Sequence, residues 1–92
     1  MENTTAKKHN FVIIGALWLD KVNGNTYHRA KILDPEFNDV FYTDGLQYGY
    51  GSAYMDTAKR EILKQYRDDE IGVVMNGGAF WLNKREIQKG WF

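Results

Sequence analysis

Ninety-two residues make one small domain with room for a single core. Lysine plus arginine and aspartate plus glutamate both total 12, so no net charge draws the chain to nucleic acid or to a membrane surface. The absence of cysteine excludes a disulfide framework and a thiolate metal site, and it fits a reducing, cytoplasmic setting.

Residues 1–10 are polar and lack the apolar stretch of a secretory leader; they read as a flexible tail, His9 included, ahead of one domain over 11–92. No apolar run approaches the ~20 residues of a membrane span. Phe11 to Leu19 is dense in β-formers and apolar on both faces, which predicts a central strand. Asp20 to Asn25 contains Asn23-Gly24, a hairpin signal, so Thr26 to Leu33 is expected to return antiparallel to the first strand. Its alternation sets His28, Ala30 and Ile32 on one face and Tyr27, Arg29, Lys31 and Leu33 on the other, solvent-facing row. A turn around Pro35 leads to a short third strand, Val40 to Thr43, which Asp44-Gly45 breaks.

Next comes the stretch Gln47-Tyr48-Gly49-Tyr50-Gly51-Ser52, a glycine–tyrosine loop that opens the one clear helix, predicted over 52–67. Ser52 has the chemistry of an N-cap, and Met55, Ala58, Ile62, Leu63 and Tyr66 fall on one helical face. Such a loop can cradle an anion at a helix start. The alternative, a tight connection whose tyrosines pack on the sheet, is favoured here: no Walker lysine follows, and no basic residue lies between Asp34 and Asp56.

After Asp68-Asp69-Glu70, a solvated break, Ile71 to Met75 reads as a strand. Asn76-Gly77-Gly78 reads as a second hairpin signal, and Ala79 to Leu82 as a further strand or an extended crossing. Asn83 and Glu86 form a capping box for a short helical turn through Lys89, with Gly90 closing it and Trp91 and Phe92 docking on the body. The expected class is α+β: a small antiparallel sheet, β-β-β-α-β with an optional fifth strand, and one main helix on one face.

Catalytic chemistry is not legible. His9 and His28 have neither the partners nor the spacing of a nucleophilic or metal site, and Asp68-Asp69-Glu70 are adjacent rather than spaced as hard-cation ligands are. No catalytic residue, metal or cofactor is assigned, and the expectation is a protein that is not an enzyme. The aromatic share of 15% is more than a small core readily hides, and tyrosine and tryptophan are typical anchors of recognition surfaces. The candidate partner-binding residues are therefore Tyr27, Arg29, Tyr42, Tyr48 and Tyr50. Arg60, Lys64 and Arg67 recur on one helix face as the candidate contacts of the alternative, a small nucleic-acid- or nucleotide-binding module; the neutral total charge and nearby acids favour an ordinary solvated face.

Gly24-Asn25-Thr26-Tyr27-His28, Gln47-Tyr48-Gly49-Tyr50-Gly51, and Tyr54 with Thr57-Ala58 and Leu63 resemble a loose group of short proteins encoded by tailed bacteriophages and prophages, over about residues 11–66. The resemblance transfers no catalytic residue. It implies a phage-type accessory protein, and small phage proteins without active sites are commonly inhibitors of host systems, such as anti-CRISPR or other counter-defence proteins. The expected partner is thus a host protein, a defence component in the host cytoplasm. Self-association through an uncovered sheet face is a further expectation.

Overall fold

The computed structural model describes residues 8–89. The expectations for Gly90, Trp91 and Phe92, and for most of the 1–10 tail, lie outside the described residues.

The fold starts from a long hairpin, β1 (His9–Asp20) and β2 (Asn25–Asp34), antiparallel with Asp20 opposite Asn25 and Ile13 opposite Ile32. Gly24 has φ +72°, the left-handed value that glycine adopts without a Cβ penalty, and its N–H donates to the Asp20 carbonyl at 2.7 Å. Asp20 also takes the Asn23 side-chain amide at 2.9 Å, and this bond leads in holding its carboxyl below the usual carboxylate range. Strict alternation then sorts the side chains. Phe11, Ile13, Leu17, Ala30 and Ile32 face the core; Val12, Ile14, Ala16 and Trp18, with Tyr27, Arg29, Lys31 and Leu33, face the reverse side.

β1 begins at His9, not at Phe11. His9 Nδ1–H donates to the fully buried Asp34 carboxylate at 2.6 Å, and the ring stacks on Phe37 at 4.1 Å and leans on Tyr66 at 4.4 Å. A residue expected in the tail is thus a tie between the start of β1 and the end of β2, reached only across the hairpin.

β3 (Asp39–Tyr42) and β4 (Gln47–Tyr48) pair in succession with the same edge of β2. Helix α1 (Ala53–Gln65) then crosses the sheet, a turn of 3-10 helix (Asp68–Glu70) follows, and β5 (Ile71–Trp81) lies along the free edge of β1. The α+β class holds, with one main helix on a five-stranded sheet. The sheet, however, is mixed rather than wholly antiparallel. β4 runs with β1, because both oppose β2; α1 carries the chain back, so β5 starts beside the start of β1 and pairs with it in parallel.

Asn76-Gly77-Gly78 is not a hairpin. The pairing passes from Ile13 opposite Asn76 to Gly15 opposite Ala79, so β5 spends one residue more than β1 there, and Gly78 takes φ +104° in the bulge. Asn76 Oδ1 accepts the Gly78 N–H at 2.8 Å and the Tyr54 hydroxyl at 2.7 Å.

α1 ends two residues before the expected stop, with Tyr66 extended as its C-cap. Ser52 occupies the N-cap position, but its side chain makes no capping bond; its carbonyl accepts the Met55 N–H instead. Tyr54, Ala58 and Ile62 are buried, and the Tyr54 ring lies on Gly15, where a Cβ would come within 2.6 Å of it. Leu63 was expected on this apolar face, yet it is 54% exposed, because α1 sits mainly over β2 and β1 and covers little of β5. The reverse side of the sheet is partly covered by α2 (Lys84–Gln88), whose capping box is present: Asn83 Oδ1 accepts the Glu86 N–H at 2.9 Å. Ile87 is fully buried, and Arg29 Nη1 donates to its carbonyl at 2.9 Å.

Candidate binding surface

The hairpin register places Trp18 beside Tyr27, and the β2–β4 register places Tyr27 beside Tyr48. All three point to the reverse side, since their neighbours Leu17 and His28 face the core. The rings touch in sequence: Trp18 stacks on Tyr27 at 5.4 Å, and Tyr27 meets Tyr48 edge-to-face at 5.9 Å. Both geometries suit the ring quadrupoles. Lys84 Nζ sits 5.3 Å from the Trp18 ring centre, within cation–π range, and caps that end of the row. Beyond it a recess of about 410 Å³ opens between Trp18 and Trp81, with Lys21 and Asn83 at its rim.

At the other end the row runs into the glycine–tyrosine loop. Tyr48 is 67% exposed and Tyr50 77%. The backbone between them is pinned. Gly49 N–H donates to the Thr26 carbonyl at 3.0 Å, and the Gly49 carbonyl accepts His28 Nδ1–H at 3.1 Å. Gly49 has φ +150°, and a Cβ there would meet Ala53 at 2.8 Å and the His28 ring at 3.1 Å, so no other residue fits. The tyrosines therefore stand on a bend that has little freedom left to lose on binding.

His28 is what holds the bend. With Nδ1–H committed to Gly49, Nε2 accepts the Thr57 hydroxyl at 2.6 Å, and Thr57 Oγ1 accepts from Arg60 Nη2 at 3.3 Å. Burial pushes the His28 pKa below its ordinary value; the Gly49 carbonyl works the other way, and Arg60 adds to the lowering. The neutral imidazole is thus the resting form. An imidazole–hydroxyl pair has the chemistry of a nucleophilic dyad. Here His28 is 1% exposed and Thr57 8%, which closes the reacting atoms off from solvent, and the pair bolts β2, the loop and α1 together.

Of the residues the sequence pointed to, Tyr27 and Tyr48 are brought together and Tyr50 stands just past them. Tyr42 lies opposite Lys31, four residues along β2 from Tyr27 and so roughly 13 Å from the row. The Arg29 guanidinium is engaged with the carbonyls of Ile87 (2.9 Å) and Thr43 (3.5 Å), straps α2 to the sheet, and so has a structural task. The cationic stripe is divided. Arg60 and Lys64 border a recess of about 140 Å³ with Asp44 and Glu61, on the α1 side of the sheet. Arg67, past the helix end, pairs with Asp69 at 3.4 Å and Glu70 at 3.7 Å. Trp18 was not among the candidates, although the signal was there: a hairpin closed by Asp20 and Asn25 sets residue 18 against residue 27.

Among the described residues no group of three His, Asp or Glu side chains is placed to hold a metal ion, and no helix is long and apolar enough to cross a membrane. Comparison with family models, with curated proteins and with solved structures finds no match for this chain.

Proposed function

We propose that this chain is a non-enzymatic binding module that docks on another protein through the Trp18–Tyr27–Tyr48 row and the loop carrying Tyr50. The observation that carries the reading is the row itself: three cross-strand rings in contact, ending on a backbone bend that His28 and Thr26 hold in place. Rigid aromatic anchors with a polar rim are what interface hot spots are made of. The phage-type resemblance of the Gly24–His28 and Gln47–Gly51 segments directs the partner: a host protein in the bacterial cytoplasm, in the first place a component of CRISPR–Cas or another defence system, which the bound chain blocks. The test is a plating assay on bacteria with a defined active defence, with and without the expressed chain. Rescue of phage plating that is lost in the Tyr48→Ala/Tyr50→Ala variant supports the reading. No rescue across a panel of defences, together with no complex by size-exclusion chromatography with their purified components, removes it.

A second reading, single-stranded nucleic acid stacking on the row, is favoured by one observation: Lys84 and Lys21 flank the Trp18 end. The position of Arg60 and Lys64 on the other side of the sheet weighs against it. Fluorescence anisotropy with labelled single strands decides; this reading requires binding that weakens steeply with salt.

A further inference from the structure

β5 is an edge strand of 11 residues, Ile71 to Trp81, without one charged side chain. One side pairs with β1; among the described residues nothing pairs with the other. Val73 is 57% exposed and Trp81 62%. Because α1 covers little of β5, an apolar groove of about 170 Å³ runs beside the strand, lined by Ile62, Leu63, Ile71 and Val74. A long, uncharged edge with unpaired backbone groups is a template for another strand.

We propose that β5 pairs antiparallel with β5 of a second copy, across a two-fold axis at Gly77, to make one continuous sheet. The charges flanking the strand choose both the occupant and the direction. Before β5, Arg67 to Glu70 carries three acids against one base, Arg67, which pairs with Asp69 and Glu70; after it, Lys84 to Glu86 carries two bases against one acid, so the flanks are net acidic and net basic. Antiparallel pairing of two copies brings the acidic flank of each to the basic flank of the other. Parallel pairing would set like against like.

A register centred on Gly77 also matches within the strand, opposite positions summing to 154. Val73 falls against the partner's Trp81 and Met75 against the partner's Ala79, while the 3-10 turn of each copy, with Asp69 and Glu70, comes to the end of the partner's strand from which α2 starts, with Lys84 and Arg85. The bulge glycines lie at the axis, so the two backbones meet there without a Cβ between them, the Gly78 N–H being held by Asn76 Oδ1 at 2.8 Å. Arg85 makes no ion pair among the described residues, so its charge is available to a second chain. An isologous contact of this kind closes at two copies. At about 36 Å of paired strand it falls below the size of a standard stable interface, so the dimer is expected to be reversible and concentration-dependent.

The experiment is sedimentation equilibrium on the full chain and on two charge-swapped variants, Arg85→Glu and Asp69→Lys, both at exposed positions. The unmodified chain should show a monomer–dimer equilibrium, with slower amide exchange along β5 at high concentration. Each variant alone should dimerise about tenfold more weakly, since both ends of its dimer then carry like charges; an equimolar mixture should recover the original affinity, because every end is again of opposite sign. A strict monomer with concentration-independent exchange in β5 overturns the proposal. So does a dimer indifferent to the swaps, a mixture that fails to recover, or open-ended assembly. The Tyr48→Ala/Tyr50→Ala variant should keep the dimer, so failure here and failure of the tyrosine surface are separate results.

Discussion

The two edges of the sheet are built on opposite terms. The β3/β4 edge is short and interrupted. Gly45, at φ +47°, breaks it, Asp39 and Asp44 charge it, and at the break Thr43 Oγ1 accepts the Ala30 N–H at 2.9 Å, in the place of a strand carbonyl. The β5 edge is long, bulged and uncharged. The first is blunted by shortness, an interruption and charge; the second has its bulge as its one such device and carries its charges only beyond its ends. On the two proposals, the chain separates two kinds of contact: rings presented from the blunted edge, backbone presented from the longer one. Where charge is placed along an edge, rather than how much the protein carries, decides what that edge can join.

The strongest way to break the comparison is to remove what both edges hang from. Gly15→Val puts a branched side chain where the Tyr54 ring lies, at a position where even a Cβ comes within 2.6 Å. Overpacking of this kind costs typically 1–3 kcal/mol, and the loss here is expected at the upper end, about 3 kcal/mol by urea unfolding, with both surfaces lost together. Tyr48→Ala/Tyr50→Ala attacks the blunted edge alone: partner affinity should fall by more than ~2 kcal/mol in calorimetry, with the melting temperature little changed because both rings stand mostly in solvent. Unfolding of this variant would instead make the tyrosines part of the core.

Acid sharpens the same distinction. The folded chain holds His28 below its ordinary value of 6.5, so the unfolded chain takes up the proton first as the pH falls. The stability that the neutral imidazole contributes is complete above that value and is lost as the pH falls below it, towards the depressed folded value. The melting temperature should therefore drop on acidification from neutral pH, and His28→Gln should flatten the drop. Because His28 grips Gly49, amides of the tyrosine loop should exchange faster at low pH than those at the centre of β5. A slope unchanged in His28→Gln would place the acid sensitivity elsewhere. The smallest effect is expected at Gly45→Ala. A side chain in the left-handed region costs roughly 1 kcal/mol, read as a modest fall in the urea midpoint, with no change in association, since the break belongs to the edge that does not pair.

Much of this architecture was legible because it is local. Asn23-Gly24 can hardly avoid a hairpin, a segment apolar on both faces belongs at the centre of a sheet, and the helix periodicity and the Asn83–Glu86 capping box read directly from spacing. The Trp18–Tyr27 pair follows from the hairpin by counting. Three features were decided only in three dimensions. A glycine pair after asparagine states that the backbone needs a positive φ, which a turn and a bulge both satisfy; the free edge of β1 made Gly77-Gly78 a bulge and β5 one strand. Periodicity places Leu63 on an apolar face but cannot say how far the sheet beneath extends, and α1 lies mainly over β2 and β1, touching β5 through Tyr54 and Asn76. His9 reads as tail in a polar segment, and becomes an anchor because the hairpin carries Asp34 back to it over 25 residues of chain. Local backbone chemistry determines which turns and helices are possible; which edge receives the last strand, and what is left bare beside it, is settled by the packing of the whole.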